Sequence, residues 1–483
     1  MITSAVSFAP PATLGGFTTG RITPHVRASD LVIARIDGRA DMSAVERMPR
    51  GPQRRQAAYA ALQAEAAATQ GAALTALQPL IDSGVVSAVE SMLLPNALVV
   101  QAAPAGQQAV LDALAGVAHV TGTQQVTRFS LPDASIDPAP RTAPPETDPP
   151  TSWAVDALNA RPAWASGADG RGITVGIADS GLDITHPGLV GGYRGTRVGA
   201  APEHDYNWAD FMAGSPVPVE PPAESNGHGT HVASQVVTTN IGSAPGARVI
   251  AARMSNNGEA NTYSAFEALQ WMLAPTAVDG SAPDPARGAD VVNVSWGTGD
   301  GTNDFLLESY QGLQAAGIEV VTAAGNSGPD GRISAPASYP GFTSVGAYDT
   351  HGAVADFSSR GPSPLPDGAG QGSPTFVAPG QLVRAATVGG KYSYSFGTSM
   401  AAPLVAGAFA DLMSAEPTAT HGQLVAALAE TARDVAAPGP DDDSGYGLVD
   451  IGAAVARLRE LLSGERNATL RRGDPPTGSR GGT

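Results

Sequence analysis

The sequence predicts an α/β fold, a doubly wound and mostly parallel sheet flanked by helices, preceded by a small α+β unit. Three observations carry this expectation. From Ser152 to about Leu462, short β-branched runs alternate with alanine-rich stretches of helical spacing, which puts helices on both faces of a parallel sheet. Residues 30–131 instead set two helical regions among short apolar runs. Between the two units, residues 132–151 are proline-rich with almost no large apolar side chain, and read as an exposed linker.

Taken in order, residues 1–29 form an N-terminal extension. Asp30–Ile36 is short and apolar, as suits a strand. Pro52–Leu80, rich in Ala, Gln and Leu, is one long helix or two broken near Gln70–Gly71. Val85–Leu94 and Ala97–Gln101 are strands on either side of a Pro95-Asn96 turn. Ala105–Leu114 is helical, Gly116 can end it, and Val117–Thr121 and Gln124–Leu131 supply further strand. The order β-α-β-β-α-β is that of a ferredoxin-like sandwich. In the larger unit, 152–462, the strands are Ile173–Ala178, Val249–Arg253, Asp290–Val294, Glu319–Ala323 and Thr343–Ala347. Ala265–Leu273, Leu306–Ala316 and Met400–Met413 are its helices. Chemistry on such a sheet sits beyond the carboxyl ends of the strands. Residues 463–483 are polar and read as a disordered tail.

Composition removes several classes. The 483 residues include no cysteine, which excludes thiolate catalysis, disulfides, Cys-ligated zinc and iron–sulfur clusters. A formal net charge of −17, nearly all of it beyond residue 150, argues against a nucleic-acid partner. No apolar run is long enough for a transmembrane helix, so no membrane partner is expected. The first twenty residues lack the basic start and apolar centre of a signal peptide.

Three segments carry chemistry. Ile173–Asp179 is an apolar run ending in Asp179-Ser-Gly, which leaves a carboxylate at the carboxyl edge of the sheet. His228, flanked by two glycines in Asn226-Gly-His228-Gly-Thr-His231, stands at the start of a helix. Ser399, in Gly397-Thr-Ser399-Met, precedes an alanine-rich helix whose first N–H groups can ease a developing negative charge. Singly, each has a plain alternative: Asp179 a turn, Ser399 a helix N-cap, His228 and His231 a metal pair. No acidic ligand motif accompanies those histidines, and His231 reads as a packed, hydrogen-bonded residue. In combination, the chain order Asp, His, Ser on a parallel sheet separates this arrangement from the orders Ser–acid–His and His–Asp–Ser.

On Asp179-Ser-Gly, His228-Gly-Thr-His-Val-Ala and Gly397-Thr-Ser399-Met-Ala-Ala-Pro403, the chain resembles the subtilase (subtilisin-like) serine peptidases over roughly residues 152–456. Ser295-Trp-Gly297, Ala323-Ala-Gly-Asn326, Val377-Ala-Pro-Gly380 and Gly445-Tyr-Gly-Leu-Val449 are similar to further landmarks of that family. Asp356–Pro364 and Asn207-Trp208 look most like its bacillopeptidase F branch. Asn96-Ala-Leu-Val-Val and Gly116–Val120 resemble the inhibitory propeptide that precedes many of these enzymes.

The resemblance implies a serine endopeptidase acting on proteins or peptides and made as a self-inhibited zymogen. Ser399 is then the nucleophile, His228 the general base, Asp179 its orienting partner and Asn326 an oxyanion donor. Ser295, Trp296 and Gly297 would pair with substrate backbone. Ala323, Ala324, Gly325 and Ser334 would line a pocket without charge, which favours apolar or medium-sized side chains before the cut bond. The implied partner besides substrate is the chain's own propeptide, and a monomer is expected. The implied place of work is outside the cell, against which the absent signal stands; an intracellular protein is the alternative. No cofactor is assigned. The short stretch from His231 to Pro245 puts the family's calcium site in doubt, as Ser234 departs from the family's glycine. Asp441-Asp-Asp443 lacks the ligand alternation of a calcium loop, so no metal ligand is named. A silent pseudoprotease or protein-binding module on the same fold is the rival reading, and retention of all three triad residue types together with Asn326 counts against it.

Overall fold

The computed structural model describes residues 12–14, 17–19, 22, 26–130, 152–212, 227–256, 258–365 and 373–472. Most of the N-terminal extension, the linker at 132–151 and residues 473–483 of the tail lie outside the described residues, as does Asn226.

The N-terminal unit runs β1 (Leu31–Ile36), α1 (Pro52–Thr69), α2 (Gly71–Asp82), β2 (Val86–Met92), β3 (Ala97–Ala102), α3 (Gln107–Leu114) and β4 (Val120–Gln125). Its strands pair antiparallel in the order β2-β3-β1-β4, the arrangement of a ferredoxin-like sandwich. The long helical stretch divides at Gln70. That residue is fully buried, donates to the Asn96 side chain (3.0 Å) and accepts from Ser91 (2.6 Å), so the break sits where a polar side chain is satisfied inside the unit.

Both faces of this sheet are covered. Val32, Ala34, Leu98 and Val100 pack on Leu74, Leu77, Val110 and Leu114 of the unit's own helices. Leu31, Ile33, Met92 and Val99 point the other way, into a cluster with Phe266, Trp271, Tyr310 and Leu313 of the large unit. Strands buried on both faces read as continuous apolar runs, which is how Leu31–Ile36 and Ala97–Ala102 read. The expected strand Gln124–Leu131 also divides. After β4 ends at Gln125, β5 (Arg128–Ser130) leaves the N-terminal sheet and pairs with the large unit.

The large unit contains β6 (Thr174–Asp179), β7 (Trp208–Asp210), α4 (His228–Val237), β8 (Arg248–Arg253), β9 (Glu259–Asn261) and α5 (Thr262–Leu273). It continues with β10 (Val291–Val294), α6 (Leu307–Ala315), β11 (Glu319–Ala323), β12 (Thr343–Tyr348) and β13 (Phe376–Pro379), and ends with α7 (Thr398–Ala415), α8 (His421–Thr431) and α9 (Ile451–Arg472). Seven strands form one parallel sheet in the order β13-β12-β11-β10-β6-β8-β7. The chain leaves β6 for β8 on one side and later returns to β10 on the other. The order therefore reverses beside β6, where ligands meet sheets of this kind.

Helix α7 is buried from Thr398 to Met413 and lies against the sheet, with Leu404, Phe409 and Leu412 packed among residues of α4, α8 and α9. The last helix continues to Arg472, past the point at which the sequence pattern ends the unit, because residues 465–472 include no proline or glycine. Among the described residues no helix is long and apolar enough to cross a membrane.

Candidate active site

Asp179 is the last residue of β6 and His228 the first of α4, and the two meet at the switch point. Gly227, which precedes His228, has φ 71°, a conformation that glycine adopts without a side-chain clash. The His228 Nδ1–H donates to Asp179 Oδ1 at 2.8 Å, and both side chains are fully buried. The same oxygen accepts the Ser180 backbone N–H at 2.7 Å. Two further bonds lock the strand end to the helix: Gly229 N–H to Ser180 Oγ (3.0 Å) and Asp183 N–H to Thr230 Oγ1 (2.9 Å).

Ser399 stands in the first turn of α7, behind Gly397 (φ 135°), and is 2% exposed. It is tied to the Ser295 segment in both directions. The Ser399 hydroxyl donates to the Ser295 carbonyl and the Ser295 hydroxyl to the Ser399 carbonyl, each at 2.9 Å. The next residue, Trp296, donates its indole N–H to the carbonyl of Ala178, immediately before Asp179 (2.9 Å). All three members of the expected triad thus come to one carboxyl edge, joined through the Ser295–Trp296 backbone.

Asn326 is exposed and stands beyond the end of β11. Its Oδ1 accepts from the Thr398 N–H (2.8 Å) and the Thr398 hydroxyl (3.0 Å), which leaves the Nδ2 donors over Gly397, next to Ser399. Gly325 (φ 111°) donates its N–H to the same Thr398 hydroxyl at 3.0 Å. Thr398 is therefore the residue that aims Asn326. No local pattern marks Thr398 for this role, since its partner lies 72 positions away in the chain.

The expected pocket residues also converge. A Cβ on Gly297 would lie 2.3 Å from Ser334 Oγ, and one on Gly325 would lie 3.1 Å from that atom. Ser334 is held by its own N–H and hydroxyl on the Ala324 carbonyl, at 2.9 and 3.2 Å. Ala323 and Ala324 are buried behind it. Ser359 was not anticipated: its hydroxyl accepts the Ser327 N–H (3.0 Å) and its N–H bonds the Gly325 carbonyl (2.9 Å), closing the same wall. Ser234 is fully buried, accepts the Ala386 N–H and donates to Thr238, each at 3.0 Å.

His231 does not join the site. Burial, with a smaller push from the neighbouring His228, takes it down to about 3, so it is neutral and bonded to Gln235 at 2.9 Å. Among the described residues no three metal-ligating side chains gather.

The subtilase family model matches residues 170–447. Among curated proteins the chain is 35% identical over 328 residues to bacillopeptidase F of Bacillus subtilis (strain 168), covering 64% of this chain and 22% of that protein. It is 32% identical over 335 residues to fervidolysin of Fervidobacterium pennivorans, covering 63% of this chain and 43% of that protein. Against subtilisin DY of Bacillus licheniformis it is 32% identical over 313 residues, covering 62% of this chain and 97% of that protein. The chain thus spans about a fifth of the first relative, under half of the second and nearly all of the third. The family model covers more than half of the 483 residues and takes in both ends of the site just described, and on that match the chain belongs to the subtilase family.

Proposed function

We propose that this protein is a serine endopeptidase that hydrolyses peptide bonds in proteins and is held silent by its own N-terminal domain. The observation that carries the reading is the buried Asp179–His228 pair, at 2.8 Å, on the same sheet edge as Ser399. Ser399 Oγ attacks the scissile carbonyl carbon as His228 Nε2 takes its proton. Asp179 keeps the proton on Nδ1 and stabilises the imidazolium. The oxyanion accepts hydrogen bonds from Asn326 Nδ2 and the Ser399 backbone N–H. Collapse breaks the C–N bond, His228 gives its proton to the leaving amine, and water releases the acyl group by the same steps in reverse order.

The slot among Gly297, Gly325 and Ser334 has no charged side chain, and supports cleavage after apolar or medium-sized residues. In a panel of peptides carrying Phe, Leu, Arg or Lys before the cut bond, fastest cleavage after Arg or Lys would refute this.

The course of β5 supports self-inhibition. Arg128–Ser130 pairs antiparallel with Glu259–Asn261, and the Phe129 ring stacks on Trp296 at 5.3 Å between centroids. The N-terminal domain thereby brings a strand beside the large unit and sets its Phe129 ring on Trp296, within the segment expected to receive substrate backbone. No step of the reaction is assigned to calcium. An inhibitor carried in the same chain suits an enzyme kept silent until export, so we place its action outside the cell.

The test is intact mass and casein hydrolysis of the wild type beside Ser399→Ala. The wild type is expected to shed its N-terminal domain and cut casein, and Ser399→Ala to keep its full mass and stay inert. If both proteins keep residues 1–150 and neither cuts casein, the peptidase reading falls and the protein-binding reading takes its place.

A further inference from the structure

Besides the shared apolar cluster and the β5 pairing, the N-terminal domain touches the large unit at a third place, away from the cleft. The segment Arg50-Gly-Pro-Gln-Arg54-Arg55, which opens α1, sends three guanidinium groups to the amino edge of the parallel sheet. Arg50 pairs with Glu319 Oε1 (2.8 Å) and donates to the Gly317 carbonyl (3.0 Å). Arg54 donates to the carbonyls of Ala315 (2.8 Å) and Gln314 (3.3 Å) in the last turn of α6. Arg55 pairs with Asp290 Oδ1 (2.7 Å) and donates to the Pro285 carbonyl (3.0 Å).

Two features make this a socket. Each carboxylate is divided between the units. Asp290 Oδ2 accepts the Thr174 N–H that starts β6 (2.9 Å), and Glu319 Oε2 is bonded to His421 Nδ1 (2.6 Å). One oxygen of each is thus fixed within the large unit and the other is left for an arginine. The pairs are also withdrawn from water: side-chain exposures are 8% and 4% for Arg50–Glu319, and 4% and 16% for Arg55–Asp290. Glu319 starts β11 and Ala323 ends it, so the socket lies about 13 Å from the cleft edge, at roughly 3.3 Å per residue.

We propose that this socket is a specific site for an Arg-x-x-x-Arg-Arg segment, and that it keeps the N-terminal domain bound once the chain between the two units has been cut. While the chain is whole, tethering alone holds the domain at high effective concentration. After the cut, only direct contacts hold it. The β5 contact is short and open to competition by substrate, and the apolar cluster shared by the units supplies area without directional bonds. The arginine contact is charged, buried and remote from substrate, so it sets how slowly the inhibitor leaves. The inference rests on the inhibitor reading above.

The test uses the full chain carrying Ser399→Ala, with a site-specific protease sequence inserted after residue 140 and an affinity tag at the C terminus. After nicking and immobilisation, loss of the N-terminal fragment is followed in time. The parent is expected to retain it, and Arg50→Ala/Arg55→Ala to lose it at least about 30-fold faster. Arg50→Lys/Arg55→Lys should also lose it faster than the parent, because an ammonium cannot reproduce the planar fork. Loss within about threefold of the parent for the alanine pair overturns the proposal, as does full retention by the lysine pair. If the alanine pair prevents folding of the N-terminal domain, Glu319→Gln asks the question from the other side. About tenfold faster loss supports the socket, and unchanged loss refutes it. Retention is read in an inert chain. A wild type that stays uncut and inert on casein, while the nicked Ser399→Ala fragment is held through its arginines, sinks the peptidase reading alone. A fragment held without them, in an enzyme that cuts casein, sinks the socket alone.

Discussion

A methyl group on Gly229 would stand 2.1 Å from the Gly181 carbonyl oxygen. The helix that carries His228 and the turn after Asp179 are therefore in backbone contact, and the 2.8 Å bond between the two side chains depends on that closeness. Gly229→Ala should lower kcat by about 100-fold or more, since displacements near 1 Å cost that much in a positioned site. Peptide-hydrolysis kinetics beside a thermal melt check this, and an unchanged kcat in a folded variant contradicts it. Asn326→Leu should lower kcat by about 10²–10³ with little change in KM, a magnitude carried over from a subtilisin. A fall confined to KM would remove Asn326 from the oxyanion role. His228 and Asn326 could be named from short motifs, because a polar residue beside glycine at a helix start or strand end leaves a local signature. Thr398 could not, because its role is a hydrogen bond to Asn326, 72 positions away in the chain.

Helix α7 shows what a single element hides from its own pattern. Its apolar composition suggests uniform core, yet Asp411 is fully buried within it, and neither carboxylate oxygen has a partner among the described residues. Burial pushes this carboxyl well above its usual range, with the nearby Trp164 indole opposing and Asp169 adding to the shift. A raised carboxyl pKa means that the unfolded chain releases its proton first. Asp411 therefore costs no ionisation energy below about pH 3.8, and progressively destabilises the fold as pH rises from there toward its raised native value. Asp411→Asn should stabilise the protein at pH 7 by about 1–3 kcal/mol, with the gain vanishing near pH 4. Denaturant melts of the Ser399→Ala protein with and without Asp411→Asn would decide it. A gain independent of pH would refute the ionisation argument.

At the scale of the whole molecule, the two units share one apolar cluster, and β5 carries the N-terminal domain onto the strand Glu259–Asn261, with Phe129 against Trp296. Phe129→Ala should shorten the lag before full casein activity by about fivefold or more, the cost of losing one aromatic anchor. An unchanged lag would mean that the ring on Trp296 does not restrain the enzyme. The architecture was legible because its signals are local. Short β-branched runs, helical spacing, one proline-rich break, and motifs at strand ends and helix starts identify the parallel sheet and nominate Asp179, His228, Ser399 and Asn326. What the sequence by itself determined is which residues form each element and which side chains can do chemistry, since both follow from neighbours along the chain. Only the tertiary structure decided what covers the second apolar face of Leu31–Ile36, where Arg128–Ser130 goes after leaving its own sheet, and what the three arginines at the start of α1 bind. Those depend on groups more than a hundred positions away, and no local spacing encodes which distant surface an apolar face or a guanidinium will meet.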